Sequence, residues 1–142
     1  MWRVLVFVGA GCAVAAACYA ATVGGCETCI ETAGGSCVPM KCHWTLRAVI
    51  PVELIAAFAM IALAAVRETA GRRWIAGLSA LAQIAAFALL HTPLMGLCKD
   101  TAMACHAAAT VCTVLGAVVL ALSVAAFVGA NSSKADLPKR GI

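Results

Sequence analysis

The sequence predicts an all-α fold: an integral membrane four-helix bundle running up-down-up-down, with both termini on the cytoplasmic side. Three observations predict it. Of the 142 residues, 64% are hydrophobic and 11% charged, whereas a soluble domain carries about a quarter charged residues. The mean hydropathy is +1.02. Apolar runs long enough to span a bilayer recur along the chain, separated by short polar stretches. So little charge cannot cover a globular surface, and lipid is the expected solvent. The net charge of +4 is not a nucleic-acid footprint, because the basic residues sit at span ends rather than in one patch.

The elements follow in order within one membrane domain, residues 1–142. The first span runs from Trp2 to about Val23 without a charge after Arg3, and about 20 residues cross the hydrocarbon core. A cleaved signal peptide is the rival reading, since Arg3, the apolar run and Cys18-Tyr19-Ala20 roughly fit one. Gly24-Gly25 ends the span, and residues 24–45 form a polar outer loop with Gly34-Gly35 as a turn. The second span covers Leu46 to Val66, with Pro51 in its first turns, where proline costs least. Residues 67–73 make a basic turn. The third span runs from Trp74 to about Leu94, and residues 95–106 form a second outer loop. The fourth runs from Ala107 to Ala130. The tail, residues 131–142, is polar, basic and expected to be disordered.

Positive charge sets the orientation. Arg3, Arg67, Arg72, Arg73, Lys134, Lys139 and Arg140 fall on one side, against Lys41, Arg47 and Lys99 on the other. The richer side is cytoplasmic. Both cysteine-rich loops then face outward from a bacterial inner membrane, where disulfides persist. Trp2, Trp44 and Trp74 sit at span ends, as interfacial anchors do. The spans are rich in Ala and Gly, which let helices approach closely in lipid.

The chemistry concentrates in two echoing stretches. Met40-Lys41-Cys42-His43 and Met103-Ala104-Cys105-His106 both read Met-x-Cys-His, and each heads an apolar run. Cys37 and Cys98 stand upstream of them.

The string Met40-Lys41-Cys42-His43-Trp44-Thr45, followed by Cys98 and Met103-Ala104-Cys105, resembles a family of small four-span bacterial membrane proteins defined by a domain of unknown function. The resemblance covers most of the chain. It implies the four-helix membrane architecture and points at the outer-face cluster. It implies no activity.

Three kinds of chemistry suit the outer face. Met40, Cys42, His43, Met103, Cys105 and His106 are soft and borderline metal donors that suit copper(I), with zinc possible through Cys and His. Adjacent Cys and His diverge by about 100° on a helix, so a full ligand set needs both motifs. The second chemistry is thiol–disulfide exchange. The outer cysteines, including Cys26, Cys29, Cys98 and Cys105, permit several pairings. Their layout is similar to that of quinone-dependent four-helix thiol oxidases of the bacterial inner membrane. The third chemistry, haem ligation, rests on His91 near the outer end of span three. Cys26-Glu27-Thr28-Cys29 is followed by Ile30, not His, so covalent haem attachment is not indicated. Against all three stands a structural role, in which the cysteines are staples and the protein packs against a transporter or redox partner.

Polar groups inside the spans add further candidates. Glu53 must face the bundle interior or a wet cavity. It could accept a proton, support a histidine or contact a cofactor, and Gln83 is placed to hydrogen-bond it. Arg47 snorkels to the outer interface or binds an anionic cofactor or headgroup. Cys12, Cys18, Cys112, Met60 and Met95 read as packing residues.

Overall fold

The structure, a computed structural model, describes residues 2–22, 29–31, 34–35, 37–39, 41–92 and 104–135, with side chains at 3–22, 34–35, 41–92 and 104–130. Among these residues lie helices α1 (Trp2–Thr22), α2 (Lys41–Ala65), α3 (Thr69–His91) and α4 (Ala104–Ala135), and a ribbon of β1 (Cys29–Glu31) and β2 (Cys37–Pro39). Each helix contains a stretch long and apolar enough to cross a membrane: Arg3–Thr22, Lys41–Ala65, Thr69–His91 and Ala104–Ala130.

The helices are apolar all round, as spans must be. Size, rather than polarity, separates the two faces. The inward stripe is mostly alanine: Ala13, Ala16, Ala56, Ala76, Ala86 and Ala108 are buried, while Phe7, Phe58, Leu81 and Val114 point outward. In lipid, dispersion and shape drive helix association, so small residues belong at the contacts.

The helices form a ring in chain order, closed by α1 against α4, and α2 and α4 also touch across the diagonal. Neighbours are antiparallel. Gly9, early in α1, faces Met60 late in α2 and Leu122 late in α4. At the other end Ala20, Cys42, Leu90 and Cys105 share one buried cluster. We call the first end terminal, because it carries the start of α1 and the end of α4. The second is the motif end. A tight turn, Val66 to Glu68, joins α2 to α3, with Val66 N–H donating to Ala62 O and Arg72 N–H to Glu68 O, both at 3.0 Å.

Helix starts differ from the expected spans. The sequence places the start of span two near Leu46, yet α2 begins at Lys41; likewise α4 begins at Ala104 and α3 at Thr69. Nothing between Lys41 and Ile50 breaks a helix, and polar residues in a first turn are tolerated at an interface. Both Cys-His pairs therefore sit on helix first turns rather than in loops. Pro51 then falls well inside α2, beyond its first turns. Having no N–H, it leaves the Arg47 carbonyl without its helical donor.

The ribbon is a second difference. Cys29 pairs with Pro39, Ile30 with Val38 and Glu31 with Cys37, antiparallel. The strands are too short to leave an alternating pattern. Gly35 in the connection has φ 74°, a left-handed conformation that glycine adopts without strain, in keeping with the turn expected there.

One packing consequence is testable at the terminal end. A Cβ on Gly9 would run into the Met60 terminal methyl and lie 3.2 Å from Leu122 Cδ1. The methionine end is flexible and can withdraw. Gly9→Ala should therefore cost only about 1 kcal/mol of stability, read as a small drop in the thermal midpoint in detergent.

Candidate functional site

The motif end brings two expected residues together. Cys42 from the first turn of α2 and Cys105 from the first turn of α4 are 0% and 1% exposed. Both belong to one buried cluster with Leu46, Val49, Leu90 and Cys112. The first turns of two helices thus contribute to one buried apolar cluster, and helix N-termini favour negative charge. Cys112 lies seven residues after Cys105, two turns on and on the same face of α4. Its thiol donates to Ala16 O at 3.6 Å. Neither Cys105 nor Cys112 is in a disulfide.

The remaining candidates spread around this pair. His43 and His106 are half-buried. The His43 ring meets Trp44 edge-on, with centroids 5.6 Å apart and planes at 87°. Met40, Met103, Cys26 and Cys98 lie outside the described residues, while Cys29 and Cys37 hold their register positions in the ribbon. Among the described residues, no three His, Cys, Asp or Glu side chains come together as a metal-holding group. His91 faces α4, where its Nε2 lies 3.0 Å from Thr113 Oγ1. Thr113 gives its own proton to Ala109 O at 2.7 Å, so His91 is the donor. Arg47 is exposed and lines a pocket of about 240 Å³ with His43, Leu46, Ile50, Pro51 and Ala20.

A polar seam continues inward from the cysteines. Glu53 stands twelve residues into α2, about 18 Å along its axis, so it lies mid-helix. Gln83 Nε2 donates to Glu53 Oε2 at 2.8 Å, the bond the sequence suggests. Glu53 Oε1 and Gln83 Oε1 are buried with no hydrogen-bond partner among the described residues. Gly116 of α4 closes the space, since a Cβ there would sit 2.5 Å from Gln83 Oε1. Deeper still, Ser123 Oγ lies 2.9 Å from Ser79 Oγ and 2.8 Å from Val119 O. Met60 Sδ is 3.6 Å from the same hydroxyl. Sequence inspection misses Ser79, Gly116 and Ser123, because isolated small residues in an apolar run carry little signal. The signal that exists is spacing: Ser79 and Gln83 are four apart, and Cys105, Cys112, Gly116 and Ser123 step by seven, four and seven.

The family described as a domain of unknown function, DUF4418, matches residues 5–129. The chain belongs to this family. The DUF4418 match takes in α2 and α3 whole and most of α1 and α4, with both Met-x-Cys-His runs. Both the cysteine pair and the polar seam therefore lie inside the DUF4418 domain. No curated protein and no solved structure matches the chain.

Proposed function

We propose that this multi-pass membrane protein binds or relays a soft transition metal, copper(I), at the motif end of its bundle. The observation that carries the reading is the convergence of Cys42 and Cys105 from two helices into one buried cluster. Thiolate and thioether donors select copper(I), and Met40 and Met103 stand two residues before the two cysteines. Leu46, Val49 and Leu90 keep water from the sulfurs. The two helix N-termini offset the charge of a bis-thiolate site. His43 and His106 adjoin as further donors or as groups that orient the site.

Arg3, Arg67, Arg72 and Arg73 gather at the terminal end, against Lys41 and Arg47 at the motif end. The excess of positive charge supports a cytoplasmic terminal end, in a bacterial inner membrane. The motif end then offers its metal on the outer side to a transporter or reductase.

Copper analysis of protein purified under reducing conditions without chelator tests the reading. Wild type should hold about one copper per chain, as a single two-motif site requires. Cys42→Ser and Cys105→Ser should each lose most of it. Cys18→Ser, on an exposed position of α1, should retain it. Equal copper in all four proteins would end the proposal.

A second reading, a quinone-linked thiol–disulfide oxidoreductase, draws support from the third thiol, Cys112, in the same cluster. Exchange passes through a mixed disulfide, so a single-cysteine variant should trap one with a redox partner.

A further inference from the structure

We propose that the outer surface of α3 and α4, at the terminal end, is a specific site for one anionic phospholipid. An open groove of about 540 Å³ runs there, lined by Ala70, Arg73, Trp74, Gly77, Leu81 and Phe127. Its walls are apolar except at one end, where Arg73 stands. The Arg73 guanidinium carbon lies 5.5 Å from the centre of the Phe127 ring. A cation is attracted to an aromatic face, which favours Arg73 at the mouth of the groove. Trp74 beside it is 82% exposed, as a headgroup-level indole should be.

Length and charge select the occupant. From Ala70 to Leu81 the groove follows α3 for about 16 Å. One leaflet of the hydrocarbon core is about 15 Å deep. The groove thus starts at the interface, beside this cation, and ends near the middle of the bundle. An acyl chain fits that course, and its phosphate would meet Arg73, with Arg67 exposed on the neighbouring turn. A zwitterionic headgroup gains less, because its own ammonium competes for the phosphate. A two-fold pair of copies through the groove would set Arg73 against Arg73, and the one exposed carboxylate nearby, Glu68, is outnumbered there by Arg67, Arg72 and Arg73. Gly77 keeps the floor clear: a Cβ there meets no atom within 4 Å, and a longer side chain projects into the groove.

The site stands apart from the copper proposal, being on the lipid-facing surface at the opposite end of the bundle. The full chain, reconstituted in phosphatidylcholine vesicles, tests it. Brominated phosphatidylglycerol or brominated phosphatidylcholine is added, and quenching of Trp74 is read in a Trp2→Phe/Trp44→Phe background. Wild-type Trp74 should be quenched at several-fold lower mole fraction by the anionic lipid. Arg73→Gln should reduce that preference about fivefold, the share of one interfacial cation. Gly77→Leu should weaken quenching by both lipids. Equal quenching by the two lipids in wild type would overturn the proposal. A preference untouched by Arg73→Gln would also overturn it, as would a dimer, seen by cross-linking in the vesicles, that Gly77→Leu dissociates.

Discussion

Replacing Gly116 by leucine should destabilise the bundle by about 3 kcal/mol or more, the upper range for overpacking a filled interior. The new Cβ alone would stand 2.5 Å from Gln83 Oε1 and 3.2 Å from Phe87 Cε1. Gln83 cannot step back freely, because its Nε2 is committed to Glu53 Oε2 at 2.8 Å. The steric clash is therefore coupled to the loss of a buried hydrogen bond. Thermal or denaturant unfolding in detergent reads the effect. Gly77→Leu is the control, since its Cβ meets open space and the change should cost little. Equal losses at the two glycines would show that Gln83 is not wedged against α4.

Gln83→Leu comes second. It strips the one partner that the described residues give a buried carboxyl already carrying one unsatisfied oxygen. Leaving such a group without its partner costs about 1–3 kcal/mol, and more for a charged one. Glu53→Leu should cost less, because it also removes the carboxyl oxygen that is already unsatisfied. The double variant Glu53→Leu/Gln83→Leu should recover much of either loss, since two apolar groups satisfy each other where one polar group cannot. Unfolding of the four proteins forms a cycle with an expected coupling of about 1–2 kcal/mol. A coupling near zero would mean that the pair contributes nothing beyond filling space.

Part of this was legible in the amino-acid order. Four apolar stretches with little charge leave no fold other than membrane helices. The alternation of their direction puts the starts of α2 and α4 at one end, and with them the two Met-x-Cys-His runs. A carboxyl inside a span needs a partner, and Gln83 is the single glutamine of the chain. Helix starts were harder to read. Lys41, His43, Arg72 and Arg73 look like loop residues, yet a first turn at an interface tolerates polar side chains. The ribbon was beyond reach, because three-residue strands show no period. Equally hidden was the diagonal contact of α2 with α4. It depends on how far small residues let two opposite helices close in, and spacing along the chain does not encode that distance.

Pro51 divides α2 into two halves joined by one backbone hydrogen bond fewer than a regular helix has. Below it, the half that bears Glu53 is anchored to α3 through Gln83. Above it, the segment carrying Cys42 and His43 is missing one rung of its backbone ladder at Arg47. The missing bond lowers the cost of bending α2 at this point. A bend there would shift Cys42 relative to Cys105, and with it the proposed copper site.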